Sequence, residues 1–301
     1  MIRKMYHRPV LLQESVEGLA IIEDGIYVDV TFGGGGHSKE ILGRLGSKGK
    51  LFAFDQDEEA LQNALDDERF TLINENFRYI RQFLKFYGIT GVNGILADLG
   101  VSSHQFDTAG RGFSTRLDGT LDMRMSQRNE LTARDVVNSY TLEDLTRILF
   151  EFSDLRNARA IAKRLVEVRV GAEVKTTADL KEALRGFLPE HRKNKVLAQI
   201  YQAIRIEVNQ ELQILREFLQ QVPEILVKNG RLSVISYHSL EDRLVKRFIR
   251  AGKFEGEAEK DFYGNPQVPM KKVGKLIVPT EVEIGENNRA RSAKLRIAEK
   301  I

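Results

Sequence analysis

The sequence predicts an α/β fold in which a parallel sheet is interrupted by a helical insertion and then resumes. Three observations carry this reading. Short apolar runs alternate with helical patterns through the first hundred residues. Four consecutive glycines separate the first run from the first helix. Residues 132–220 read as almost wholly helical before a strand-like run returns.

Ile26-Tyr27-Val28-Asp29-Val30 is the first strand, followed by the glycines at 33–36 and a helix over 37–45. Lys50-Leu51-Phe52-Ala53-Phe54 is the second strand, ending at Asp55, with a helix over 60–65 after it. Phe70-Thr71-Leu72-Ile73 is the third. A helix over 77–87 follows, with Ile80, Phe83, Leu84 and Tyr87 on one face, and residues 92–99 form a fourth strand. Such alternation with short connections predicts βαβ units with right-handed crossovers.

Residues 100–130, rich in Gly, Ser, Asp and Arg, predict a long ordered loop. Thr141-Leu142-Glu143-Asp144 resembles a capped helix start. A second helix carries Ala158, Ile161, Ala162 and Leu165, a third spans 177–188, and a long one spans 195–221. Arg231-Leu232-Ser233-Val234-Ile235-Ser236 resumes the sheet after a turn at Asn229-Gly230. Three of the six prolines fall in 253–280, which predicts an extended surface loop, and Ala293-Lys294-Leu295-Arg296-Ile297-Ala298 is a last strand. The expected organisation is one domain from 1–106 and 207–301, with an inserted loop and helical domain at 107–206.

Composition bounds the function. A chain of 301 residues, 42% hydrophobic and 30% charged, buries a large core and is not disordered. With no cysteine there is no disulfide framework, thiolate metal site or cysteine nucleophile. The five histidines show no metal-ligand spacing, so no metal is expected. No apolar h-region and no window of 18 apolar residues is found, so no membrane span is expected and a cytoplasmic location is. The net charge of +3 divides into −4 over 1–106, +4 over 107–206 and +3 over 207–301. An acidic third joined to two basic ones suggests a small-ligand site beside a surface for a polyanion.

The glycine run of Asp29-Val30-Thr31-Phe32-Gly33-Gly34-Gly35-Gly36-His37 sits where a helix N-terminus meets a strand end. There it lets backbone approach a ligand. Asp55 ends the next strand, where a carboxylate accepts both ribose hydroxyls of an adenosine. A dinucleotide and S-adenosylmethionine share this arrangement. The spread G-x-G-x-x-G that holds a pyrophosphate is absent, and Asp29 stands just ahead of the glycines. A carboxylate suits a ligand with ammonium and sulfonium charges, which favours S-adenosylmethionine. The fourth strand ends in Ala97-Asp98-Leu99-Gly100-Val101-Ser102-Ser103-His104-Gln105. A hydrolase would need G-x-S-x-G, which is missing. Asp98, Ser102 and Ser103 instead offer acceptors for an exocyclic amine, although loop capping by the serines competes with that role.

These motifs resemble the RsmH/MraW family of bacterial small-subunit ribosomal RNA cytosine-N4 methyltransferases. The resemblance rests on His7-Arg8-Pro9-Val10-Leu11-Leu12, residues 29–37 and 98–105, Arg111-Gly112-Phe113-Ser114, Leu121-Asp122-Met123-Arg124-Met125, Gln202-Ala203-Ile204-Arg205-Ile206-Glu207-Val208-Asn209, Ser236-Tyr237-His238-Ser239-Leu240-Glu241-Asp242-Arg243 and Arg289-Ala290-Arg291-Ser292-Ala293-Lys294-Leu295-Arg296. It implies a class I S-adenosylmethionine-dependent methyltransferase fold, a Rossmann-like sheet with an inserted helical domain. It also implies N4 methylation of a cytidine in the decoding region of 16S ribosomal RNA, with the small ribosomal subunit as partner. Its cofactor contacts map onto Gly35, Gly36, His37, Asp55, Phe77, Asp98 and Gln105, with Phe77 packing on adenine. The chain departs from the family pattern at Thr120, Phe152-Ser153-Asp154, 193–198, Tyr237 (usually Phe) and Asn288.

Methyl transfer to a cytosine amine is an in-line displacement that needs the nitrogen held near-collinear with methyl and sulfur. Asp98, helped by Ser102 or Ser103, is the expected acceptor for the amine protons. His238 is a further candidate, with helix capping as its competing role. The base must leave its stack to react. The expected phosphate contacts are Arg111, Arg116, Arg124 and Arg128, then Arg156, Arg159, Lys163 and Arg164, then Arg289, Arg291, Lys294 and Arg296.

Overall fold

The computed structural model describes residues 9–153 and 155–301. His7 and Arg8 of the first motif, and Asp154 among the departures, lie outside the described residues. In chain order the elements begin α1 (Leu12–Glu17), β1 (Ile26–Asp29), α2 (Gly36–Arg44), β2 (Lys50–Phe54), β3 (Phe70–Ile73), α3 (Ile80–Phe86) and β4 (Val92–Asp98). Then come α4 (Ser103–Asp107), α5 (Ala133–Ser139), α6 (Leu142–Ser153), α7 (Ala158–Gly171), α8 (Thr177–Ala183), α9 (Lys193–Asn209) and α10 (Glu211–Ile225). The chain finishes with β5 (Leu226–Ser236), α11 (Ser239–Ala251), β6 (Glu259–Lys260), β7 (Pro266–Gln267), β8 (Met270–Ile277), α12 (Glu281–Glu286) and β9 (Lys294–Lys300). Short 3-10 turns at Glu58–Asn63 and Phe77–Tyr79 stand where α-helix is expected at 60–65 and at the start of 77–87.

Two compact units form, one from residues up to Gly100 with Leu212–Ile301, the other from Val101–Glu211. The first unit holds a sheet in the order β3-β2-β1-β4-β5-β9-β8. Strands β3 to β5 are mutually parallel, and β9 runs antiparallel between β5 and β8. This is a Rossmann-like sheet with one antiparallel strand, β9, added beyond β5. Its strand order reverses between β1 and β4, which opens a crevice at their carboxyl ends. Val28, Ile95, Leu232 and Val234 are fully buried on the sheet. Each contributes about 1.5–3 kcal/mol by leaving water. Ile80, Leu84, Phe218, Val222, Val245 and Phe248 cover one face. Val16, Ile41 and Leu42 cover the other, over Tyr27, Leu51 and Leu96.

The region expected as surface loop over 253–280 instead holds the small antiparallel ribbon of β6 and β7, and then β8. Only Met270 of β8 is buried, while Lys271, Lys272 and Lys275 face solvent, so no apolar alternation announces the strand. Asn229-Gly230 is a bulge inside β5 rather than a turn before it. Asn229 sits at φ +64°, and the register with β4 shifts between Val92 and Gly94.

The second unit packs α5 to α9 around Val136, Ile148, Ile161, Leu165, Leu180 and Ile200. Its long loop is ordered by its own side chains. Arg124 pairs with Asp122 at 2.8 Å and donates to the Asn129 carbonyl at 2.7 Å. Arg111, 6% exposed, donates to the carbonyls of Arg124 and Met125 at 3.0 and 3.1 Å. The single helix expected over 195–221 is two, because Gln210 adopts φ +50° between α9 and α10. Asn209, at the end of α9, is nearly fully buried. Its side chain accepts from the Met125 N–H at 2.7 Å and donates to the Met123 and Arg205 carbonyls at 2.8 and 2.9 Å.

Replacing Asn209 with Ala strands a buried N–H and two carbonyls. Asn209→Ala is expected to destabilise the protein by about 2–4 kcal/mol in urea unfolding. A loss under about 0.5 kcal/mol would show that this amide does not hold the loop.

Candidate active site

Asp29 ends β1 with no exposed surface. Its carboxylate accepts from the Ser38 hydroxyl at 2.7 Å and from the Thr31 N–H and hydroxyl at 3.1 and 3.4 Å. Burial raises its pKa, and those donors oppose the rise. Asp29 therefore fastens the turn to the start of α2. Thr31 Oγ1 also accepts the Asp98 N–H at 2.6 Å, which ties the turn to the end of β4.

The turn leads into α2 through Gly33 at φ +52° and Gly35 at φ +74°. A Cβ on Gly35 would stand 2.9 Å from the Phe32 ring, and one on Gly36 would enter the Pro9 ring. Main chain is therefore bare here, with helix N–H groups at its start. His37 is buried. Its Nε2–H donates to the Val10 carbonyl at 3.2 Å, which leaves Nδ1 3.8 Å from Asp98 Oδ2. Burial depresses the imidazole pKa, with Asp98 pulling the other way.

Asp55 stands just past β2. Its Oδ2 accepts the Gly33 N–H at 2.7 Å and its Oδ1 the Asp57 N–H at 2.8 Å. Each oxygen has a second lone pair, so the pair of oxygens can receive two adjacent hydroxyls. Burial pushes its pKa up to about 6 against those two N–H donors. Asn74 donates to the Asp55 carbonyl at 2.9 Å, and Asn76 to Gln56 Oε1 at 2.7 Å. These bonds tie the Asp55 segment to the turn that starts at Phe77. The Phe77 ring is half-buried and meets Phe218 edge-on at 5.3 Å.

Asp98 ends β4. Its Oδ1 accepts the Tyr237 hydroxyl at 2.8 Å, and its side chain is 22% exposed. Burial pushes its pKa up to about 6, while His37 and the Tyr237 hydrogen bond hold it down. The fold thus brings Gly35, Gly36, His37 and Asp98 together and fixes Asp55 on the same turn. Ser102, Ser103 and Gln105 belong to the other unit. There Ser102 caps α4: its hydroxyl accepts the Gln105 N–H at 3.2 Å, and Gln105 Oε1 accepts the Ser102 N–H at 3.1 Å. His238 stands at the N-cap of α11, with Nε2 3.2 Å from Glu241 Oε1.

Sequence reasoning missed Thr31 and Tyr237. Thr31 was legible as a hydroxyl two residues past an aspartate. Tyr237 was visible only as a departure from a motif, since its partner lies 139 residues away. Of the basic residues, Arg116, Arg128, Arg156, Arg159, Lys163, Arg289 and Arg291 are exposed. Arg111 and Arg124 are committed to the loop, Arg164 donates to the Ala183 carbonyl at 3.0 Å, and Arg296 pairs with Asp242 at 2.7 Å.

Residues 4–301 match the MraW methylase family. Among similar proteins, the ribosomal RNA small subunit methyltransferase H of Flavobacterium johnsoniae is 68% identical over 296 residues, covering 98% of each chain. Its namesake from Flavobacterium psychrophilum is 64% identical over 290 residues, 96% of this chain and 100% of that one. That of Christiangramia forsetii is 61% identical over 301 residues, the whole of both. With the match running through both units and the relatives aligned over nearly every position, the chain belongs to the MraW methylase family and is a methyltransferase.

Proposed function

We propose that this chain methylates the N4 amino group of a cytidine in the decoding region of 16S ribosomal RNA, with the small ribosomal subunit as substrate and a cytoplasmic location. The observation that carries the reading is a set of desolvated carboxylates at the carboxyl edge of the sheet beside bare main chain. The residues fit S-adenosylmethionine. Gly35 and Gly36 present main chain without side chains, because a Cβ at either would strike the Phe32 ring or Pro9, and Asp55 presents two oxygens already oriented by N–H groups. Buried carboxylates gain from a cationic ligand, since it offsets the desolvation that raises their pKa.

In this reading Gly35, Gly36 and His37 receive the amino-acid end, Asp55 the ribose hydroxyls and Phe77 the adenine, with Gln105 a further contact. Bound there, S-adenosylmethionine supplies a methyl group activated by its sulfonium charge. Asp98 Oδ2 accepts a hydrogen bond from the cytosine amine. That bond enriches a nitrogen otherwise delocalised into the ring and orients its lone pair. Once methylated, the cationic nitrogen is acidic, so a weak base such as Asp98 suffices to take its proton. Ser102 and Ser103 are kept as hydroxyl candidates for the same amine. The inserted segment at 107–206 is assigned to substrate recognition, and its exposed arginines, with Arg289 and Arg291, to phosphate.

Three measurements check this. Asp98→Asn, assayed at saturating cofactor with small subunits and nucleoside analysis, is expected to lower N4-methylcytidine formation by about 100-fold or more. Near-normal turnover would remove Asp98 from the reaction. Titration calorimetry over pH checks the electrostatics. Both Asp55 and Asp98 hold protons up to about pH 6 and are charged above it. Affinity for S-adenosylmethionine should be flat above pH 7 and fall below 6, by up to about tenfold per pH unit for each carboxyl. The raised pKa values act in the opposite direction on the unliganded protein: the stabilising contribution of these protons is present below the ordinary carboxylate range and is lost as pH rises through 6. An affinity independent of pH would contradict the assignment. Finally, neutralising three of Arg116, Arg128, Arg156, Arg159, Arg289 and Arg291 should reduce the slope of log affinity for RNA against log salt by about two to three. An unchanged slope would clear this surface of a role.

A further inference from the structure

Tyr237 is a part-buried titratable group that the reaction above leaves unused. It follows β5, whose Ile235 pairs with Asp98 in register and accepts the Leu99 N–H at 2.9 Å. Its backbone N–H donates to Glu241 Oε2 at 2.9 Å, and Glu241 is only 3% exposed. Beyond Asp98 the chain turns at Gly100, φ +102°, where a Cβ would touch the Tyr237 ring at 3.4 Å. Backbone and ring are therefore both held, and the hydroxyl reaches Asp98 Oδ1 at 2.8 Å.

We propose that Tyr237 is a positioning residue whose hydroxyl occupies Asp98 Oδ1, so that Oδ2 alone is left to engage the acceptor amine and receive its proton. This rests on the reading that Asp98 acts at that amine. The two oxygens of a carboxylate are equivalent until something distinguishes them, and a fixed O–H donor does so. Oδ1 becomes an acceptor only, and Oδ2 is left on the side of His37, 3.8 Å away. The donor is permanent. Burial and the neighbouring carboxylates raise the Tyr237 pKa well above its ordinary value, so the phenol keeps its proton throughout the working range. The hydrogen bond also favours the ionised carboxylate, in the same sense as His37.

The groups bearing on this pair come from every element around it. His37 lies on α2 and Asp29 at the end of β1. Glu241 lies on α11, and Glu283 on α12 bears on the phenol. The three carboxylates Asp29, Glu241 and Glu283 all oppose ionisation at the pair, and Tyr237 and His37 are the groups that favour the Asp98 anion. With the phenol hydroxyl removed, the remaining group that favours the anion is His37, 3.8 Å away.

The test uses Tyr237→Phe, which keeps the ring and removes the donor. Two quantities are measured on the full chain: the Asp98 titration midpoint, from side-chain carboxyl NMR, and the pH profile of kcat with small subunits. The expected result is a rise in both the midpoint and the acid limb by about 0.5–1 unit. Activity at pH 6 should then fall several-fold more than activity at pH 8.5, with KM for the subunit little changed. A midpoint that does not move overturns the inference, as does a uniform loss of kcat at every pH, which is what a packing defect gives. Asp98→Asn separates the two levels. If it retains turnover, the reading of Asp98 fails whatever Tyr237→Phe does to the midpoint. If it is inactive while the Tyr237→Phe midpoint stays put, only the role given to Tyr237 fails.

Discussion

A carboxylate with no exposed surface must satisfy its oxygens inside the protein, and at the end of β1 this requirement organises everything nearby. Asp29 takes the Ser38 hydroxyl from α2 and both donors of Thr31 from the turn between them. Thr31 in turn takes the Asp98 N–H at the end of β4. One buried charge thus locks a strand end, a glycine turn, a helix start and a neighbouring strand. Left unpaired, it would cost several kcal/mol of desolvation. This lock keeps the glycine-rich turn from sampling other shapes.

The same edge concentrates negative charge that the protein alone does not fully neutralise. Asp55 and Asp98 each have their pKa pushed up to about 6, and in both cases burial is the largest cause. Their neighbours are N–H groups, a phenol and one imidazole, all of them donors weaker than a guanidinium. Protons neutralise both carboxyls only below about pH 6; above it they are anions, and in the proposed function a cationic methyl donor offsets that charge.

Much of this was legible in the sequence, and the rest was hidden for identifiable reasons. Strands β1 to β4, the glycine turn and the placement of Asp55 and Asp98 at strand ends follow from apolar runs and their spacing, which record burial directly. The break at Gln210 was not legible, because the apolar spacing of Val208, Leu212 and Leu215 continues across it. The break lies at the left-handed Gln210, next to Asn209, whose amide is bonded to residues more than eighty positions away. Arg111 read as a phosphate contact because a sequence shows its charge, while its burial against carbonyls is a tertiary fact. Tyr237 and Asp98 meet only because β5 returns beside β4 after a long excursion. Pairing of that kind leaves no local trace.

Strand β8 ends the sheet with its outer hydrogen-bonding groups unpaired by any other strand among the described residues. Lys271, Lys272 and Lys275 stand exposed along it, and Gly274 at φ +64° interrupts its register with β9. A second copy approaching that rim to extend the ladder would bring like ammonium groups face to face across a bent ribbon. Exposed lysines and a kink on an edge strand disfavour its extension by another strand.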